Sequence, residues 1–365
     1  MPIPKLSILA LLWLWFCFLT PRQNFAQQDK EFAKKLQEAN LSVYQDAEKA
    51  VELSDYIYKN AEHTDTKITA LVILVNGYTA LNENGEALKY ATKTFELADS
   101  TNNVQYKIWA LGLLGEQYQL SHLNGISREY LDNAEALIQS SNLSEEANAV
   151  SRGNIFAIKG NGYKDEIDCE YAIKNYDLAI DSYKAIPEYS AARNNLALVF
   201  LEKGNCLLEL GNLEEAKNNF RLTLDIAERN KLQEYLQRAR LGLAMIESRE
   251  GNHQNSKKHA EELLNVIDTT LNPKLKNKLY LLLRENYLAL GALKKYDIYN
   301  RKYESSSKEI ADIEKHQFQQ VLQFMEAQSK AEPKYFGIEK VILYLLLLFT
   351  SAIIFYELLR WSKKR

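Results

Sequence analysis

The sequence predicts an all-α protein: a right-handed solenoid of antiparallel helix pairs, followed by a stalk helix and one C-terminal transmembrane helix. Three observations predict it. Only 14 Gly and 6 Pro occur in 365 residues, which disfavours a loop-rich β protein and favours long helices. A five-residue ladder of small and large side chains recurs along the middle of the chain. An uncharged apolar run, Val341 to Tyr356, stands near its end.

The elements follow in chain order. Residues 1–26 read as a secretory signal peptide, with Lys5 as the positive start and Leu6 to Leu19 as an apolar core broken only by Ser7. That core is short for a bilayer span, so cleavage after Ala26 is expected in preference to an uncleaved anchor. Residues 27–67 are expected to form an N-terminal capping helix pair, with Ala47, Ala50 and Leu53 on one apolar stripe.

Residues 68–303 carry the ladder. Gly160, Tyr163, Ala172, Tyr176 and Ala179 are spaced by 3, 9, 4 and 3 residues. The same spacing returns as Gly204, Leu207, Ala216, Phe220 and Thr223, as Gly115, Tyr118, Ser127, Leu131 and Ala134, and as Val75, Tyr78, Ala87, Ala91 and Thr94. Weaker copies run from Ala244 to Leu263 and from Arg284 to Tyr303. Agreement in phase, rather than any single copy, makes the pattern informative, because Gly, Ala and Tyr at helical spacings are common. Repeat starts fall near 68, 108, 153, 197, 237 and 277, with steps of 40 to 45 residues. Gly211-Asn212, Gly251-Asn252 and Gly291-Ala292 supply the turns between paired helices.

This ladder resembles the tetratricopeptide repeat (TPR) family, in which small residues let two antiparallel helices approach and large ones fill the gap. Its minimal repeat is about 34 residues, so the extra length here belongs to second helices or connections. The longer units look like those of kinesin light chains and of bacterial TPR regulators that bind peptides. The resemblance implies a solenoid with a concave inner surface and a protein or peptide ligand.

Residues 304–334 are expected to form a stalk helix, with Ile310, Ile313, Val321, Leu322, Phe324 and Met325 as a narrow apolar stripe interrupted by glutamines. Pairing of that stripe with a second chain, giving a homodimer, is an open alternative. Residues 338–359 are long and apolar enough to span a bilayer, and the basic tail 360–365, with Arg360, Lys363, Lys364 and Arg365, places the C-terminus in the cytoplasm. A buried terminal helix is the alternative, disfavoured because the run has no polar face. The expected localisation is therefore a single-pass inner membrane protein with its N-terminal domain periplasmic. Its exported part, 27–340, carries 39 cations against 47 acids, a net charge of −8, which speaks against direct nucleic-acid binding.

No motif for nucleotide, metal or acyl chemistry is present, so no cofactor, no metal and no enzymatic activity are expected. His253 and His259 are six residues apart, which does not put them on one helical face. Cys169 and Cys206 read either as a disulfide in an oxidising compartment or as two small apolar packers.

The TPR resemblance places the residue after each small anchor in the groove: here Asn76, Asn161 and Asn205. In peptide-binding members an Asn there holds the ligand's main chain through its paired donor and acceptor. Glu116, Met245 and Glu285 occupy the equivalent place in other repeats, so the set is partial, and solvated or inter-helix-bonded Asn side chains are the alternative. Trp109, Lys164, Arg238 and Arg249 are further expected groove residues, Trp109 being either an aromatic anchor or core. The layout resembles the exported, membrane-anchored sensor half of Bacteroidetes TPR regulators without an output domain. Two functions stand: a non-catalytic interaction scaffold or adaptor, or a sensory receptor whose kinase or DNA-binding module is a separate partner or has been lost.

Overall fold

The computed structural model describes residues 30–43, 46–186, 194–267 and 273–331. The signal-peptide reading of 1–26, the span at 338–359 and the basic tail lie outside the described residues. Among the described residues no helix is long and apolar enough to cross a membrane.

Fourteen α-helices and no strand occur among the described residues. They are α1 (30–42), α2 (Ala47–Asn60), α3 (Thr64–Ala80), α4 (Asn84–Asp99), α5 (Val104–Leu120), α6 (Asn124–Ser140) and α7 (Glu145–Glu166). The second half comprises α8 (Cys169–Lys184), α9 (Asn195–Glu209), α10 (Leu213–Arg229), α11 (Gln233–Arg249), α12 (His253–Val266), α13 (Pro273–Ala289) and α14 (Leu293–Ala331). From α2 to α13 each helix packs on its neighbours in the chain. The odd helices α3 to α13 also touch the next odd helix, whereas the even ones pack on chain neighbours. A stack bonded more closely along one layer curves toward it, so the odd helices form the inner, concave layer.

The ladder is the glue between layers. In the first five copies its third members, Ala87, Ser127, Ala172, Ala216 and Ser256, and its fourth, Ala91, Leu131, Tyr176, Phe220 and Ala260, are all buried, while Tyr296 and Asn300 of the last copy are half-buried. A Cβ on Gly160 would lie 2.5 Å from the Tyr176 ring, and one on Gly115 2.5 Å from Leu131, so these glycines exist to admit a large side chain from the partner helix. Ser127 and Ser256 donate to the anchor carbonyls of Gly115 and Ala244, both at 2.7 Å, which satisfies their hydroxyls in the core.

The turns inside the six repeats close by the same bond. The amides of Glu83, Leu123, Asp168, Asn212, Asn252 and Ala292 donate to the carbonyls of Tyr78, Tyr118, Tyr163, Leu207, Glu247 and Tyr287, all second members of the ladder. Such a six-residue closure commonly needs a left-handed residue: Gly211, Gly251 and Gly291 fill it at φ 80°, 85° and 69°, while Asn82 and His122 take it at 62° and 58°. Helix starts are capped by Asp46, Asn103, Ser144 and Asp168, each accepting from a first-turn amide.

Two features differ from the plainest sequence reading. Cys169, opening α8, and Cys206, within α9, are joined as a disulfide with Cα atoms 5.1 Å apart, across consecutive repeats. And no break separates the last repeat from the stalk, because α14 is one 39-residue helix. Its start packs Tyr296 and Tyr299 on α13, and Asn277 then donates to Tyr303 O and Ser307 Oγ. Farther on, Lys274 pairs with Glu314 at 2.8 Å, and Gln317 donates to Asn82 Oδ1 at 2.8 Å. Residues 304–320 are therefore held against the repeats at both ends of the array.

Candidate functional site

The inner layer presents the polar groups that apolar packing does not consume. At its middle stands Glu202 of α9, two residues before the Gly204 anchor and almost fully buried. Its carboxylate receives Lys164 Nζ of α7 at 2.8 Å, the Arg238 guanidinium of α11, and Asn205 Nδ2 at 3.3 Å. Burial alone would push this carboxyl up; the attraction of Arg238 and Lys164 outweighs it and holds the group at about 2. Lys278 of α13 is exposed and feels Glu202, Lys164 and Arg238 together. Lys164 and Arg238 thus pair with one buried carboxylate, Arg238 lies 3.6 Å from a second, Glu234 of its own helix, and the group draws on four successive inner helices.

Three of the residues expected in the groove, Lys164, Asn205 and Arg238, are brought together here, and Glu202 is what joins them. Glu202 itself escapes a motif search, since its meaning comes only from lying between the inner helices of the adjacent repeats. Asn161 stands apart: its Oδ1 accepts from the Tyr176 hydroxyl at 2.8 Å, which commits part of its donor–acceptor pair and ties it to the ladder. The Tyr176 phenol, buried and near Glu202 and Asp165, is pushed up from its ordinary value. Asn76 is half-buried on α3. Trp109 is half-buried on α5 and packs against Tyr106, ring centroids 5.6 Å apart. Arg249, at the end of α11, is exposed and separate from the cluster.

A second polar set lies nearer the N-terminus of the array. Asn154 Oδ1 of α7 accepts from the Tyr183 hydroxyl and from Asn195 Nδ2, the latter at 3.2 Å. Glu116 of α5, in the same row as the three asparagines, carries a half-buried carboxylate that burial pushes up from the usual glutamate value. Among the described residues no group of three His, Cys, Asp or Glu side chains is placed to hold a metal ion. A separate open cleft of about 740 Å³ lies between the α3–α4 turn and α14, lined by Leu81, Asn82, Glu83, Lys308, Asp312 and His316 among others.

An inner layer of helices carrying charged and amide side chains over an outer layer that packs them defines the class: a helical-repeat solenoid with TPR-like architecture. No protein-family model matches the chain, and no curated protein does. Solved structures do. The chain is similar to NprR in complex with its cognate peptide NprX, at 14% identity over 93% of this chain and 99% of that one, TM-score 0.51. It is similar to the apo form of the quorum sensor NprR from B. thuringiensis, at 15% identity over 87% and 96%, TM-score 0.51. It is also similar to a Rap protein complexed with the competence and sporulation factor, at 14% identity over 78% and 99%, TM-score 0.50. At such identities the likeness is one of fold.

Proposed function

We propose that this chain is a non-catalytic scaffold or adaptor that binds a peptide or protein on its concave face, anchored to the membrane by residues 338–359 with the repeats on the exported side. The observation that carries the binding reading is the Lys164–Glu202–Arg238 cluster with Asn205. Once formed, such a buried cluster is costly to break, yet apolar side chains of the same volume would stabilise the fold as well or better, so a ligand is the physical reason for charges on this face. Two of the similar structures hold a partner, NprX in one and the competence and sporulation factor in the other, which supports the same use of the fold. The Cys169–Cys206 disulfide supports an oxidising, exported location. The apolar run at 341–356 with its basic tail supports the anchor.

A photo-reactive residue at Asn161, on the inner layer, tests the binding reading against one at Leu222, exposed on the outer α10. Adducts in cells from Asn161 alone are expected. Adducts from both in equal yield, or from neither, would overturn the reading. Alkaline extraction of the envelope tests the anchor: the full chain should stay with the membrane, and a chain ending at 337 should be released.

A further inference from the structure

We propose that residues 304–320 of α14 are a releasable latch: docked on the α3–α4 turn, they join the two ends of the array and hold its concave face in a weakly binding form, and a ligand on that face competes with the docking. This rests on the peptide-binding reading above and adds how that binding is regulated.

The latch has a firm end and a loose one. At the firm end α13 holds α14: Asn277 Nδ2 donates to Tyr303 O at 3.2 Å and to Ser307 Oγ at 2.9 Å, and Lys274 pairs with Glu314 at 2.8 Å. At the loose end a solvent-exposed bond reaches the first repeat, from Gln317 Nε2 to Asn82 Oδ1 at 2.8 Å. Beside it the backbone of α14 lies against Gly85, where a Cβ would stand 3.0 Å from Gln320 O.

The rest of that junction is poorly matched. The open cleft of about 740 Å³ brings Glu83 of the turn and Glu309 and Asp312 of α14 into one lining, in which Lys308 is the one lysine or arginine. Among the described residues Gln320 Oε1, at the same place, is buried without a hydrogen-bond partner. A buried acceptor with no donor opposes the docking that buries it, so the loose end is poised to open.

Docking weakens binding because of how repeats adapt. Each repeat touches only its neighbours, so an array fits a ligand through small rotations that accumulate along it. Joining the first repeat to the last forbids the accumulated change. The groove and the latch meet on α13: Lys278, exposed and close enough to feel Glu202, stands one turn after Lys274 and next to Asn277. A ligand that draws α13 toward the Glu202 cluster therefore moves the helix that carries α14, and the loose end gives way first.

The test compares three forms of the immobilised full chain: wild type, Gly85→Leu, which releases the latch, and Gly85→Cys/Gln320→Cys, which locks it. Cβ atoms at 85 and 320 stand 3.0 Å apart, near the span that a disulfide bridges. Gly85→Cys alone is the control for the lock. Each form is offered a random decapeptide pool, and retained peptide is quantified by mass spectrometry. A docking worth one hydrogen bond keeps roughly five arrays closed for each open one, so release should raise retention up to about fivefold. The oxidised lock should retain less than its control. Bound peptide should quicken amide exchange at 305–320 in wild type and leave it unchanged in the lock. A lock that retains as much peptide as its control or more, or a cysteine pair that does not oxidise, would overturn the latch while leaving the groove. Retention of nothing by any form would overturn the groove reading and the latch with it.

Discussion

Replacing Glu202 with Gln removes the buried anion that Lys164 and Arg238 share. The native carboxyl is held at about 2, against 4.5 for an unperturbed glutamate. At about 1.36 kcal/mol per pKa unit, that depression corresponds to about 3 kcal/mol of folded-state stability. Because the folded value is the lower one, this contribution is complete above pH 4.5 and is lost as pH falls toward 2. Glu202→Gln keeps the shape of the side chain but leaves Lys164 without its carboxylate and Arg238 with only Glu234 at 3.6 Å, a loss of about 3–5 kcal/mol for a broken buried pair. Urea unfolding of both proteins at pH 7, 4 and 3 measures it. The variant should be less stable by about 3 kcal/mol or more at pH 7, and the gap should close steadily as wild type loses its ion pairs in acid. A gap below about 1 kcal/mol at pH 7, or one that does not change with pH, would refute the assignment of Glu202 as the centre of the cluster.

Other outcomes follow from the same packing. Reducing the Cys169–Cys206 bond opens a separation of 37 residues and should cost about 4 kcal/mol on loop entropy, read as a lower urea midpoint in dithiothreitol; no shift would contradict the bond. Phe220→Ala should cost about 3–5 kcal/mol, whereas Leu222→Ala, on the exposed side of the same helix, should stay within about 0.5 kcal/mol. Gly242→Ala places a Cβ 2.5 Å from the Phe220 ring, so it should destabilise wild type and be close to neutral in the Phe220→Ala background, a coupling that a double-mutant cycle reports. Gly85→Leu should push α14 off the first repeat, since a Cβ there already meets Gln320 at 3.0 Å, and amide exchange at 316–320 should quicken.

The repeat was legible in the sequence because each ladder position has a size requirement that a side chain states by itself. Gly160 beside Tyr176 and Gly204 beside Phe220 announce two helices in close contact, and the structure places those pairs together. Gly242 was not legible as part of the ladder. It faces the Phe220 ring from the following repeat, and contacts between repeats carry no fixed sequence spacing when steps vary from 40 to 45 residues. The reach of α14 was hidden for a similar reason. Its polar stripe of glutamines resembles a solvated stalk, and only the return of the array brings Asn82 within bonding distance of Gln317.

The groove was half legible. Lys164, Asn205 and Arg238 were picked out one repeat at a time, but the residue that unites them, Glu202, precedes its anchor by two positions and follows no family pattern. Asn161 shows the opposite failure: its position matches a ligand-holding asparagine, yet its carbonyl oxygen is engaged by Tyr176. Asn76 and Arg249 lie apart from the charged cluster, and Trp109 rests on Tyr106.

The central claim is that a ligand lies along the inner layer. Hydrogen exchange of the full chain, with and without peptides that it retains from a random decapeptide pool, tests this most directly. Protection should concentrate on α5, α7, α9, α11 and α13, while α6, α8, α10 and α12 exchange as before. Protection confined to the even helices, or absent throughout with peptide bound, would contradict the account.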